Sequence, residues 1–215
     1  FYFMPGVQVM IARSVDGIGN ELVLAAQGGH NAESHNHNDV GNFMVYRNGK
    51  PVLIDVGVET YTAKTFSKDR YEIWTMQSAF HNVPTINGVQ QKDGRAFEAT
   101  DVKTVPLKNG AVFSLDMAKA YPADAAVKYW NRMLKMDNGN SLLLTDDFSL
   151  NKISGNTSFH FMTAVEPSLK NNGILIPADG APMLLRFDMK RLNASVEEIE
   201  IQDGQLQSNW GKKLY

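Results

Sequence analysis

Apolar residues along this chain come in short runs, not in long helical stripes. Val7 to Ala12, Leu22 to Ala26, Phe43 to Tyr46, Val52 to Val56, Ala111 to Leu115, Ser141 to Leu144 and Ser158 to Met162 are rich in strand formers and are separated by turn residues. That rhythm predicts an all-β fold. Arg47-Asn48-Gly49-Lys50 lies between two such runs and predicts a tight hairpin, because Asn-Gly accepts positive φ at both central positions. Asp137-Asn138-Gly139-Asn140 repeats this chemistry, and Asn87-Gly88, Asn172-Gly173 and Asp203-Gly204 offer weaker cases. Lys64 to Ala79 alone has the length for a helix, but Thr and Ser interrupt its apolar spacing, so it is expected to be irregular. With no repeat, low-complexity tract or long linker, the economical architecture is one large antiparallel β-sandwich over residues 1–215, with a looser extension after about residue 171.

Composition narrows the partners. A formal charge of −2 does not suit a phosphate backbone, so nucleic acid is not expected. It also supplies no global attraction for an acidic polymer, whose binding would rest on local Lys and Arg. No apolar run approaches the roughly 20 residues that cross a bilayer as a helix, so no membrane insertion is expected. The opening Phe1-Tyr2-Phe3-Met4-Pro5-Gly6 is neither an initiator methionine nor a leader, which suggests a piece of a longer polypeptide. The cysteine count of 0 restricts any metal site to histidine and carboxylate ligands.

Those ligand types are concentrated. Four of the five histidines fall between His30 and His81, around Ser34-His35-Asn36-His37-Asn38-Asp39. In an extended strand His35 and His37 would share a face. Asp55 interrupts the apolar run Val52 to Val56, and a buried carboxylate needs a cation or several donors. The Asn48-Gly49 hairpin folds that run back beside the strand leading out of the histidine pair. His81 comes from a third segment, Ser78-Ala79-Phe80-His81-Asn82-Val83. A His, an Asp and a second His converging in this way would make a zinc site with a free fourth position. A His-x-His pair on a solvated strand, with Asp55 capping a turn, is the bland alternative, and ordinary packing is the expectation for His30 and His160.

The segment Gly28 to Phe43, with His35-x-His37-x-Asp39-x-Gly41-x-Phe43 at its heart, resembles the signature of heparinase II/III-like and related alginate lyases. The similarity continues through Ile54-Asp55-Val56-Gly57, Thr60-Tyr61-Thr62 and His81-Asn82-Val83-Pro84-Thr85-Ile86-Asn87-Gly88, in order, across most of the first ninety residues. The resemblance implies a two-part enzyme, an N-terminal α-helical toroid followed by a β-sandwich, of which this chain is the second part. It implies zinc ligands at His37, Asp55 and His81, a substrate-facing His35, and a catalytic Tyr61 for which Tyr71 competes. The implied activity is a polysaccharide lyase, cleaving uronic-acid-containing glycans by β-elimination, with the zinc mainly structural and the isolated part inactive. The implied location is the periplasm or outer surface. Exposed Arg47, Lys50, Lys68, Arg70 and Trp74 are candidate contacts for an acidic polysaccharide.

Two other readings stand beside it. A non-catalytic carbohydrate-binding or structural sandwich would carry the same metal ligands. Gly29, His35 and His37 also fit the opening of a cupin-like metal enzyme, but Gly41 and Asn42 occupy the region where that family wants a Glu. A metallo-β-lactamase string fails at Val40, which replaces its last histidine.

Overall fold

The computed structural model describes residues 1–14, 21–137, 141–178 and 180–215. One sheet is a five-stranded meander of β1 (Tyr2–Met4), β2 (Val9–Arg13), β3 (Leu22–Gln27), β4 (Phe43–Arg47) and β5 (Lys50–Leu53). A second, four-stranded sheet holds β6 (Thr100–Leu107), β7 (Gly110–Asp116), β8 (Val127–Asp137) and β9 (Ser141–Leu150). All neighbouring strands in both sheets are antiparallel. Alternate residues point inward, as the two-residue period of a strand dictates. Met10, Ala12, Leu22, Leu24, Ala26, Phe43 and Val45 thus meet Ala111, Phe113, Leu115, Trp130, Leu134 and Met136 in one buried cluster. The expected all-β antiparallel sandwich is the fold observed. Each large side chain buried there stabilises it by about 1.5–3 kcal/mol.

Two of the expected Asn-Gly turns follow local chemistry, whereas at Asn172-Gly173 the turn is shifted by one residue, since Gly173 already pairs with Lys170 and Asn171 and Asn172 make the turn. Asn48 and Gly49 both have positive φ, 49° and 75°, and close the β4–β5 hairpin. Asn87 and Gly88 do the same between Ile86 and Val89. β8 and β9 pair from Asp137↔Ser141 onward, while residues 138–140 of the turn expected there lie outside the described residues. Asp203-Gly204 is not a hairpin turn. Asp203 Oδ1 accepts the N–H groups of Gln205 and Leu206 and so caps α1 (Gly204–Trp210). The Val52 to Val56 run leaves the sheet after Leu53, where Ile54 N donates to Met162 O instead. Residues 63–80 form four short 3-10 turns and no α-helix, as their interrupted spacing predicted.

A smaller core lies beside the sandwich, where Ile54, Val56 and Met162 pack on Ile201, Leu206 and Leu214. The C-terminal segment is also hydrogen-bonded to the loop after β5. Asp203 Oδ2 accepts Thr60 N at 3.0 Å, and Trp210 Nε1 donates to Val56 O at 2.8 Å.

One residue in the main core breaks the apolar rule. The inward row of β8 reads Trp130, Arg132, Leu134, Met136, and Arg132 is only 2% exposed. Its guanidinium holds Asp146 of β9 through two bonds, Nε to Oδ1 at 2.9 Å and Nη2 to Oδ2 at 2.7 Å. Nη1 reaches across the sandwich to the carbonyls of Gly41 at 3.1 Å and Asn82 at 2.7 Å. Removing one partner of such a pair strands a buried charge. Asp146→Ala is therefore expected to cost about 3–5 kcal/mol in urea unfolding. Arg132→Met combined with Asp146→Leu should recover part of that loss, and equal losses in both would show that charge pairing is not what the site contributes.

Candidate functional site

Four side chains converge from three segments that flank the last two strands of the first sheet. Ligand atoms of His37, Asp39, Asp55 and His81 all lie within 4.8 Å of one another. His37 and Asp39 come from the loop leading into β4, Asp55 from just past β5, and His81 from the end of the Ser78–Phe80 turn. The loop is shaped by amides. Gln91 accepts from Val40 N at 2.9 Å and donates to Val40 O at 2.8 Å, treating that residue as a neighbouring strand would. Asn31 Oδ1 accepts Asp39 N, and Met76 O accepts Asn38 N. Gly41 is required at the loop's end, because its φ is +85° and a Cβ there would stand 2.8 Å from Met117 Cε.

His81 is fully buried. Its Nε2 donates to Thr75 O at 3.1 Å, since a carbonyl can only accept, and this turns Nδ1 toward Asp55. Nδ1 stands 3.3 Å from Asp55 Oδ2 and has no hydrogen-bond partner. The His37 and His81 rings lie 5.1 Å apart. Asp55 Oδ1 accepts Gly57 N at 2.8 Å, and Oδ2 accepts Asn42 Nδ2 at 2.7 Å. Asn42 Oδ1 in turn accepts Asn82 N, while Asn82 donates to Phe43 O and Ile54 O and accepts from Met162 N. A buried imidazole nitrogen with no partner, aimed at a carboxylate and a second imidazole, is what a His/Asp metal site requires of its residues. The donor set fits zinc.

The expected trio is brought together, and Asp39 joins it as a fourth potential ligand. Its signal was in plain sight, a carboxylate two residues after His37 in the same string. Asn42 and Asn82, which hold Asp55 and the backbone around it, also escaped the sequence reading.

His35 lies elsewhere. The expectation that it shares a strand face with His37 fails, because residues 32–42 are not a strand and His35 has φ +61°. His37 turns inward, 8% exposed, while His35 is exposed. Its ring stacks on Tyr61 with centroids 5.9 Å apart and 10° between planes, and Tyr61 OH is 3.4 Å from His35 Nδ1. Phe66, 67% exposed, stands edgewise to both rings. Tyr71 does not join them, and its hydroxyl donates to Asn36 Oδ1 at 2.9 Å. Trp74 donates to Glu59, Arg70 bonds backbone carbonyls, Lys68 is exposed, and Arg47 and Lys50 flank the β4–β5 turn. His30 meets Glu33 at 2.9 Å and His160 meets Thr85 at 2.9 Å, in ordinary local contacts.

Electrostatics separates the four converging groups. Burial, then the neighbouring His81, lowers the His37 pKa from 6.5 to about 4, keeping its lone pair available at neutral pH. Burial opposes charge on Asp55 too, but His81 outweighs it and holds the carboxyl well below its usual range. Burial likewise disfavours a proton on His81, and Asp55 more than reverses this, raising its pKa. Asp39 is pushed up to about 7 by burial and by the Asp55 charge. In the metal-free protein the lowered His37 value supplies stability that is present above about pH 6.5 and lost as the pH falls toward 4. His81 and Asp39, both raised, act in the opposite sense. The informative quantity is therefore the difference in unfolding free energy between wild type and His37→Gln, which should shrink as the pH is lowered through that window. A constant difference would mean that His37 is not desolvated.

The Heparinase II/III-like, C-terminal family matches residues 6–212. No curated protein sequence matches the chain. Among solved structures, the heparan sulfate lyase HepC from Pedobacter heparinus aligns with TM-score 0.66 and 20% identity, over 91% of this chain and 29% of that one. A heparinase III aligns with TM-score 0.56 and 20% identity over 80% of this chain and 26% of that one. Another heparinase III structure gives 0.59 and 17% over 81% and 26%. The chain thus spans less than a third of the length of these structures, and at such identity the likeness is one of fold. The family match covers nearly every residue, the two histidines and two carboxylates included, and on it this chain belongs to the Heparinase II/III-like, C-terminal family.

Proposed function

We propose that the chain is the β-sandwich part of a polysaccharide lyase that cleaves uronic-acid-containing glycans, of the heparan sulfate or alginate kind, by β-elimination. The observation that carries this reading is the division of the two neighbouring histidines: His37 turns inward to a buried His/Asp cluster, and His35 outward against Tyr61. In the reaction the C5–H bond beside the sugar carboxylate breaks, a C4–C5 double bond forms, and the C4–O bond breaks as the leaving oxygen gains a proton. Such a step needs two groups that exchange protons at the surface of a cleft. His35 and Tyr61, exposed and within 3.4 Å of one another, are suited to supply them. Donors directed at the sugar carboxylate, which stabilise the developing charge, would come in part from an N-terminal α-helical toroid of the same protein. Residues described here contain no helix long and apolar enough to cross a membrane, and the reading places the protein in the periplasm or at the outer surface.

His37, Asp55 and His81 would hold zinc, with Asp39 as the further oxygen ligand. Bound there, zinc supplies charge that compensates the two carboxylates, and it ties three chain segments together. Asn42 fixes Asp55, and the Thr75 carbonyl fixes His81 in the tautomer that points Nδ1 inward.

Two measurements test this reading. His37→Ala should lose near-stoichiometric zinc by plasma mass spectrometry and melt at a lower temperature, whereas His35→Ala should keep both metal and stability; zinc loss in both would undo the division of roles. In the full-length protein, His35→Ala and Tyr61→Phe should each lower the appearance of unsaturated uronate, followed by its ultraviolet absorbance, by about 10²–10⁴-fold. Unchanged turnover in His35→Ala would overturn the lyase assignment of that residue.

A further inference from the structure

His35 holds a left-handed backbone conformation, φ +61°, which non-glycine residues seldom adopt without support. The support is concentrated on its neighbour. Every polar group of Asn36 is engaged: its N–H donates to Glu33 O, Nδ2 donates to His37 O at 2.8 Å, and Oδ1 accepts the Tyr71 hydroxyl at 2.9 Å. Its carbonyl accepts two bonds from Arg70, Nε at 3.3 Å and Nη2 at 2.9 Å. The same guanidinium uses Nη1 to hold Thr65 O at 2.9 Å. Arg70 therefore joins the residue after His35 to the residue before Phe66. Thr65 is itself fixed, because its Oγ1 accepts Thr62 N at 3.0 Å, and Thr62 follows Tyr61. One side chain thus gathers the three strings that carry the exposed ring group His35, Tyr61 and Phe66.

We propose that Asn36, Arg70 and Tyr71 form a positioning clamp that fixes His35 against Tyr61 without acting through the metal ligands. The inference rests on the reading that His35 faces substrate. It assigns Tyr71 to holding the site, where the sequence left it competing with Tyr61 for chemistry. A guanidinium is the suitable group here, because its rigid fork can bond two carbonyls in different loops at once, which an ammonium on a flexible stem cannot do with the same geometry.

The test uses zinc-supplied full-length protein carrying Tyr71→Phe, Arg70→Met, Arg70→Lys or Tyr71→Phe with Arg70→Met. Three quantities are read: zinc content, the His35 13Cε1–H resonance under the ring current of Tyr61, and kcat and KM on a uronate-containing oligosaccharide. Zinc should stay near stoichiometric, while the His35 signal moves toward that of a solvent-exposed histidine. The kcat should fall about tenfold or more with KM within about twofold, as expected when a reacting group is misplaced but binding persists. Tyr71→Phe alone keeps its ring and the Arg70 bonds, so it should fold normally and show a smaller move in the same direction. Arg70→Lys should resemble Arg70→Met, since geometry and not charge is what the clamp supplies. An unmoved His35 resonance in the double variant would overturn the proposal, and so would zinc loss accompanying the shift, since the effect would then run through the metal site. If His35→Ala leaves turnover intact while the clamp variants still move the His35 signal, the lyase reading fails and the clamp stands.

Discussion

A guanidinium buried between two sheets must find partners for its donors, and the way Arg132 does so organises the molecule. Asp146 neutralises it from the adjoining strand, which leaves Nη1 to cross the core. The acceptors it finds are the carbonyls of Gly41, two residues after Asp39, and of Asn82, the residue after His81. From Asn82 the bonds continue through Asn42 to Asp55, whose carboxylate faces His81. A cation in the second sheet is thereby connected to a carboxylate at the end of the first through the backbone of Asn82 and the side chain of Asn42, whose hydrogen bonds are made. Partly satisfied networks of this kind are costly in a low-dielectric core, and complete ones are rigid. The site inherits that rigidity.

The sequence disclosed what depends on neighbours and concealed what depends on distance. Asn48-Gly49 declared its hairpin because both φ angles are set within the turn. Asp203-Gly204 has similar letters, but its carboxylate found the free N–H groups of a helix start, and nothing local distinguishes the two uses. The trio His37, Asp55 and His81 was legible through the resemblance and through the cost of a carboxylate in an apolar run. The orientation of His35 was not, because alternation holds only on extended backbone and a single positive φ cancels it. Nothing in the sequence around Arg132 singles it out. Its role depends on carbonyls 91 and 50 positions away.

The two histidines of one short string are thus separated by the residue between them. Asn36 is held from outside by Arg70 and Tyr71, while His37 is desolvated and turned to the cluster within. On the proposed function, His35 exchanges protons in a cleft while His37 stays neutral, and two such roles side by side need some such partition, since the two environments differ so much in polarity. A strand would have put both imidazoles on one face and given them one environment. The irregular loop is the condition for two.

The fastening of the loop after β5 by the C-terminal segment bears on how the protein is made. Thr60 is tied to Asp203 and Val56 to Trp210, across 143 and 154 residues of sequence. All four cluster residues, and Tyr61, leave the ribosome long before these partners do. A nascent chain can therefore pair its strands in order as they emerge, yet the backbone between Asp55 and Tyr61 acquires these two restraints only after Asp203 and Trp210 have been made. Contacts of such separation form slowly, so the last step in shaping this site waits on the arrival and docking of residues 203–210.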